Sequence, residues 1–349
     1  MPSANTRSTP AAGRRAGSLL VASAGGHLTQ LHQLLPRLDL GGAATWVTFD
    51  TPQARSLLAG EEVVFARYTA PRDVRGVLAN TALAARLLRG RRFHTVISTG
   101  SGVALSFLPL ARAAGARVHY IESATRVLGP SATGRLLARV PGIHLYTQHA
   151  GWADRRWRHA GSVLDGWTSE RTRPQPIRRA VVTLGTMRTY GFRRLLERLV
   201  EILPPDVETL WQTGCTDTAG LPITARPAVP AHELDRAMRA ADVVVTHAGT
   251  GSALAALRAG HCPVLVPRTH ALGEHVDDHQ HQTAREFDRR GLAITAIPDR
   301  LGYHHLSTAT ARRVRRVVDP PRFPLTGLGG VSHGRRGASG AAGSSGPAG

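Results

Sequence analysis

The chain has 349 residues, 42% of them hydrophobic, enough for two cores of ordinary size and incompatible with a collagen-like or fully disordered chain. Two cysteines, Cys215 and Cys262, exclude a disulfide framework and a multi-cysteine zinc site. The net charge of +20 comes from 44 arginines and no lysine against 24 acids, which leaves anionic membrane, nucleic acid and phosphorylated substrates open as partners.

In chain order, residues 1–17 are polar and low in complexity, and carry no apolar signal-peptide segment; they are expected outside the fold of an intracellular protein in a reducing compartment. Short β-like runs then alternate with helical patterns. The first-half strands are predicted at Ser18–Ser23, Ala44–Phe49, Val63–Ala66, Thr95–Ser98 and Arg117–Ile121. A helix is predicted over Val74–Arg89, with Leu78, Leu83, Leu87 and Leu88 on one side. The aperiodic stretch 168–179, with Pro174 and Pro176, reads as a linker. Second-half strands follow at Ala180–Leu184, Glu208–Gln212, Asp242–Thr246, Pro263–Val266 and Leu292–Thr295. The helices between and after them are predicted at Gly191–Leu203, His232–Ala240, Gly251–Ala259, Asp277–Arg290 and Ser307–Val318. The Gly- and Ser-rich tail, 325–349, buries too little apolar surface to order itself.

This rhythm predicts an α/β chain of two parallel-sheet domains, 18–167 and 180–318. The charge surplus is spread over both: residues 1–170 hold 20 Arg and 9 acids, and residues 171–349 hold 24 Arg and 15 acids. The run Phe93–Ala111 is long and uncharged, but Ser98-Thr99-Gly100-Ser101-Gly102 interrupts it, so it reads as a buried strand, a turn and a buried helix rather than a membrane span.

Ligands of such sheets bind at the carboxyl ends of strands, so the loops leaving them are the places to look for chemistry. Gly25-Gly26-His27 follows the first strand: either a backbone that approaches an anion with His27 poised as a base, or a tight turn whose His caps a helix. Ser98 to Gly102 is either a second close-approach turn or the packing of a helix on the sheet. Glu122 lies just past an apolar strand, as a base or as the partner of Arg126 or Arg135. The most informative loop is His247-Ala248-Gly249-Thr250-Gly251-Ser252, whose N–H groups and hydroxyls suit a diphosphate. It has neither the P-loop Lys nor the dinucleotide fingerprint. Glu274-His275-Val276-Asp277-Asp278-His279-Gln280 offers sugar-binding polar groups, a solvated helix start or metal ligands.

In combination these motifs resemble family 28 glycosyltransferases. His247 to Ser252, followed by Glu274 to Gln280, resembles the family's C-terminal domain, and Gly25-Gly26-His27, Ile97 to Gly102 and Tyr120-Ile121-Glu122-Ser123 resemble the partner subunit of two-subunit members. Those members add a second N-acetylglucosamine to a dolichol diphosphate sugar or build exopolysaccharide units on a lipid carrier, and this chain looks like both halves fused, acceptor half first. The resemblance implies a GT-B fold, two Rossmann-like domains facing across a cleft. It further implies a UDP-sugar-dependent hexosyltransferase of inverting stereochemistry, acting on a polyprenyl-diphosphate-linked sugar at the cytoplasmic face of the membrane. By the same resemblance His27 and Glu122 are the catalytic candidates, and His247, Gly249, Thr250, Gly251 and Ser252 hold the donor diphosphate. Glu274, Asp277, Asp278, His279 and Gln280 face the donor sugar or ribose, and Gly25, Gly26, Ser101 and Arg126 the acceptor. The UDP-sugar is a co-substrate, and neither cofactor nor metal is expected. Ala255 stands where many relatives carry a ribose-binding Glu, which leaves the donor sugar open. A UDP-sugar 2-epimerase of the same fold is the rival enzyme. A nucleic-acid-binding protein is the rival outside enzymes, disfavoured by the lack of a basic recognition helix or aromatic stacking strand.

Overall fold

A computed structural model describes residues 17–69, 73–186 and 189–327. The expectations for residues 1–16 and 328–349 lie outside the described residues. The first domain holds seven strands, β1 (Gly17–Ala22), β2 (Ala44–Phe49), β3 (Glu62–Ala66), β4 (Phe93–Gly100), β5 (Arg117–Ile121), β6 (Ile143–Thr147) and β7 (Trp157–His159). They form one sheet in the order β3-β2-β1-β4-β5-β6-β7, every pairing parallel. Its helices are α1 (Gly26–Leu34), α2 (Pro52–Leu57), α3 (Val74–Gly90), α4 (Gly102–Ala113) and α5 (Ala132–Leu137).

A strand β8 (Trp167–Arg171) follows. The second domain then sets out β9 (Arg179–Thr183), β10 (Glu208–Gln212), β11 (Ala225–Arg226), β12 (Val243–His247), β13 (Val264–Val266) and β14 (Ile294–Thr295) in the order β11-β10-β9-β12-β13-β14, again all parallel. Its helices are α6 (Arg193–Ile202), α7 (Ala231–Ala240), α8 (Thr250–Arg258), α9 (His279–Arg289) and α10 (Tyr303–Thr310), and β15 (Arg312–Arg316) ends the series. The run Phe93–Ala111 is β4 and most of α4, and no helix among the described residues is long and apolar enough to cross a membrane.

Both strand orders reverse direction beside the first strand of their domain, between β1 and β4 and between β9 and β12. The crevice outside those strand ends is the ligand position of doubly wound sheets. A buried cluster runs unbroken from Leu28, Leu31 and Trp46 of the first domain to Val182, Leu254 and Leu257 of the second. A separate cluster around Val96, Phe107 and Val118 fills the other face of the first sheet.

Four expectations are corrected here. The stretch 168–179 is not wholly a linker: β8 pairs antiparallel with β15. The helix predicted over Ser307–Val318 stops at Thr310, because Arg312–Arg316 alternates one buried valine, Val314, with exposed or half-exposed arginines, a period-two pattern that suits a strand. Leu78 does not share the buried face of α3 but points to solvent. Order extends beyond the predicted limits, since Gly17 belongs to β1 and Leu325 is buried in the core.

Candidate active site

The chain turns from β1 into α1 through Gly25, whose φ of 77° suits glycine. Gln53 holds this turn, accepting from Gly25 N at 2.8 Å and donating to Thr29 Oγ1 at 3.0 Å. His27, in the first turn of α1, has Nδ1 2.6 Å from the carbonyl of Thr99 at the end of β4. A carbonyl only accepts, so Nδ1 carries the proton and Nε2 keeps its lone pair. Burial pushes the His27 pKa below its ordinary value, with the positive charge of Arg126 adding to the effect, so the ring is neutral near pH 7. Gly100 makes room for it: a Cβ there would stand 3.0 Å from His27 Cε1. The structure thus presents His27 as a half-buried imidazole with Nδ1 committed to the Thr99 carbonyl and no hydrogen bond on Nε2 among the described residues.

Glu122 occupies a different position. It is buried and accepts from Ser123 N at 3.0 Å and Tyr120 OH at 3.2 Å on one oxygen, and from Ser131 N and Ser131 Oγ at 2.9 Å on the other. Burial raises its pKa, while the hydrogen bonds from Ser131 and Ser123 oppose the rise. With both oxygens engaged, Glu122 anchors the two ends of the loop 123–131, which carries Arg126. Ser101 stands half-buried at the start of α4.

The sequence left Gln30 and Gln148 unnoticed. Gln30 bonds Ser123 Oγ and Ala124 N, and Gln148 bonds the Glu122 carbonyl, Gln30 and Val163 N. Neither lies in a motif; only burial of both amides reveals the network.

In the second domain β12 ends at His247, one residue later than predicted, and α8 starts at Thr250. The His247 ring is wedged between glycines: a Cβ on Gly185 would lie 2.8 Å from it and one on Gly249 2.2 Å. Burial, with the Arg268 charge adding, pushes its pKa down to about 3, so it forms a neutral floor under the loop. Thr250 Oγ1 is buried with no hydrogen-bond partner among the described residues. Ser252 lies half-buried in the first turn of α8.

The two glycine loops meet. A Cβ on Gly26 would lie 3.4 Å from Gly251 N, and one on Gly251 would lie 3.4 Å from Gly26 N. At the other ends, His32 of α1 senses the charge of Arg258 in α8. The helices therefore lie side by side and parallel, one from each domain, with both N-termini at the crevice. Each N-terminus carries about half a positive charge, so this pairing is unfavourable until an anion sits against it.

The segment after β13 divides its polar residues between scaffold and crevice. Glu274 takes Arg194 on both oxygens, at 2.5 and 3.0 Å, and accepts from Thr269 N at 2.9 Å. These bonds staple the loop to α6. Asp278 accepts from His270 N at 2.8 Å and Gln280, buried, accepts from Arg268 N at 3.1 Å. Arg268 is itself fully buried, donates to the Leu184 carbonyl at 3.0 Å and lies over the Phe192 ring; its sequence position gave no sign of this. Asp277 and His279 stay partly exposed and are hydrogen-bonded to each other, which holds the Asp277 carboxyl well below the usual range. Asp277 also meets Arg126 of the first domain at 3.3 Å.

His275, Asp277 and His279 place ligand atoms within 4.8 Å of one another, a set that chemistry permits for zinc. Asp277 is already shared between His279 and Arg126. Cys215 and Cys262 are both free thiols.

Residues 217–305 match the glycosyltransferase family 28 C-terminal domain. Comparison with curated proteins gave no match. Among solved structures, MurG of Acinetobacter baumannii is similar with a TM-score of 0.52 at 20% identity, over 83% of this chain and 88% of that one. The glycotransferase of kitacinnamycin gives 0.53 at 18% identity, over 85% and 90%. The calicheamicin glycosyltransferase CalG4 gives 0.52 at 18%, over 85% and 90%. At these identities the structures speak for the GT-B fold alone, and the family match is confined to the second domain. The chain thus has two parallel-sheet domains in GT-B arrangement, and its second domain carries, over residues 217–305, the glycosyltransferase family 28 C-terminal domain.

Proposed function

We propose that the protein transfers a hexose from a UDP-sugar to a polyprenyl-diphosphate-linked sugar, with inversion, at the cytoplasmic face of a membrane in exopolysaccharide or cell-envelope glycan synthesis. The observation that carries this reading is the parallel meeting of α1 and α8 at Gly26 and Gly251, with the unpartnered Thr250 hydroxyl beside it. An anionic diphosphate supplies the charge that this arrangement lacks.

His27 Nε2 takes the proton of the acceptor hydroxyl, the freed oxygen attacks the anomeric carbon, and the bond to the diphosphate oxygen breaks on the opposite face. The departing negative charge meets the α8 N–H groups, Thr250 and Ser252. A positioned base contributes roughly 10²–10⁴-fold, and preorganised donors a similar factor. No metal or other cofactor is required for this electrostatic work, and nucleic acid is not a partner.

The lipid-linked acceptor finds support in α3. Val74 and Leu78 are exposed apolar residues, and with Arg75, Arg86 and Arg89 they share one side of that helix, within about a third of its circumference. Tyr68 stands exposed just before it. An apolar stripe with cations suits insertion at an anionic lipid surface.

The test is transfer of radiolabel from UDP-N-acetylglucosamine, UDP-glucose, UDP-galactose and UDP-glucuronic acid into a membrane lipid extract, alongside thermal stabilisation by each. A ligand at 100 times its Kd adds about 2.7 kcal/mol of stability. Label in the lipid phase from one donor is expected. A soluble epimerised UDP-sugar with no label in lipid would overturn the transferase reading in favour of an epimerase.

A further inference from the structure

We propose that Arg126 is a positioning residue for donor-sugar recognition: across the crevice it holds Asp277, and Asp277 sets the tautomer of His279, so that His279 Nε2 faces the donor sugar as a hydrogen-bond acceptor. The inference rests on the donor site proposed above and adds to it how the acceptor half of the enzyme takes part in selecting the donor.

The chain of contacts is continuous. Glu122, buried, clamps residues 123 and 131 and so closes the loop between them. Within that loop Arg126 is fixed through its backbone: its N–H donates to the Ser123 carbonyl at 2.9 Å, and its own carbonyl accepts from Trp152 Nε1 at 2.9 Å. The guanidinium then crosses to the second domain, with Nη1 3.3 Å from Asp277 Oδ2. The other oxygen of Asp277 bonds His279 Nδ1. Against an ionised carboxylate, Nδ1 carries the proton, and in the neutral ring Nε2 is then the acceptor. The His275 ring packs edge-on against His279 with centroids 4.8 Å apart, and its Nδ1 lies 3.1 Å from the Asp277 carbonyl, so the imidazole of His279 is held in orientation as well as in tautomer.

Arg126 and Asp277 remain about a third exposed, at 34% and 39%. A pair so hydrated is weak and opens easily. Such a pair can break and re-form as donor enters the crevice without disturbing the core that the two domains share. Sugar hydroxyls that donate to Nε2 are recognised only while the pair is formed. The diphosphate cradle at Thr250 and Gly251 does not touch this pair and should bind UDP without it.

The experiment compares UDP affinity by calorimetry with the KM of the UDP-sugar that wild-type protein turns over, in Arg126→Met, Arg126→Lys, Asp277→Ala and the double variant Arg126→Met with Asp277→Ala. Arg126→Met is expected to raise the donor KM about threefold to tenfold, as loss of a part-exposed pair allows, with UDP affinity unchanged. Arg126→Lys should restore part of the effect, and the double variant should be no worse than Asp277→Ala alone. Nitrogen-15 spectra should show the Nδ1–H tautomer of His279 in wild type and a mixture in Asp277→Ala. Additive effects of the two substitutions, equal losses of UDP and UDP-sugar binding, or an unchanged His279 tautomer would each overturn the proposal while leaving the donor site standing. A wild-type protein that does not bind UDP would overturn the donor site and this inference with it.

Discussion

His27 illustrates how one residue's chemistry is set by its neighbours' backbone. The Thr99 carbonyl fixes the tautomer, and burial keeps the ring neutral. His27→Ala should lower kcat by roughly 10²-fold or more while UDP affinity measured by calorimetry stays as in wild type. The pH profile follows from the direction of the shift. A lowered pKa keeps the base neutral at pH 7, so kcat/KM should fall only on the acid side, with its midpoint below 6.5. Glycine positions carry equally definite expectations. A Cβ on Gly251 reaches toward Gly26 N, so Gly251→Val should abolish UDP binding in a folded protein, judged by unchanged circular dichroism. Gly249→Val drives a methyl into His247 and should lose UDP binding too, with a cost to stability as well. Normal UDP affinity in folded Gly251→Val would remove the cradle from the site.

Helices and strands carry the next set of consequences. The exposed stripe of α3 predicts flotation with anionic vesicles that weakens with salt and with Arg75, Arg86 and Arg89 changed together to Glu. Equal binding to neutral vesicles, or none to either, would count against docking through α3. Arg91 is a poorer probe of that surface, because it is already paired with Glu62. The sequence marked the helix but misjudged its orientation. Leu78 has the same hydrophobicity as Leu83 and Leu87, and only packing against α4 shows which of them turn inward. For the same reason β15 was hidden. An arginine-rich segment of five residues after a helix fits a helical extension until β8 is seen beside it.

On the scale of the whole molecule, the two domains are joined by a chain of charges as well as by the shared core. Arg37 of the first domain, 3% exposed, contacts Asp165 at 3.5 Å, and Asp165 meets Arg290 of the second domain at 2.6 Å. Arg37 also donates to the Pro321 carbonyl at 2.7 Å, tying the returning C-terminal segment to the first domain. Asp165→Ala should destabilise the protein by about 2 kcal/mol, less than a fully buried pair would cost, read as a lower urea midpoint. Acid should act through histidines that are set into the fold. His119 and His247 are pushed down to about 3, chiefly by burial, and His27 is lowered as well. Below the unfolded value near 6.5 the unfolded chain binds protons that the folded chain refuses, so stability falls with pH by about 1.4 kcal/mol per unit for each such group. Urea titrations at pH 6 and pH 5 should show this slope, and His119→Phe should reduce it by one group's worth.

The sequence by itself determined the two α/β domains, because alternating apolar runs and helical periods are local signals that persist wherever the chain folds. It also marked the loops at Gly25–His27 and His247–Ser252, since glycines and polar residues directly after apolar strands announce a strand end. Only the tertiary structure decided which partners each side chain has there. Glu122, Glu274 and His279 are all polar residues in equally plausible loops, yet the first is enclosed by four donors and the second by Arg194 and Thr269, while the third keeps an open nitrogen. Their partners lie up to 80 residues away in the chain, and the Arg126–Asp277 contact spans 151. Hydrogen bonds over such separations leave no periodic trace, so commitment and availability appear only when the domains are packed together.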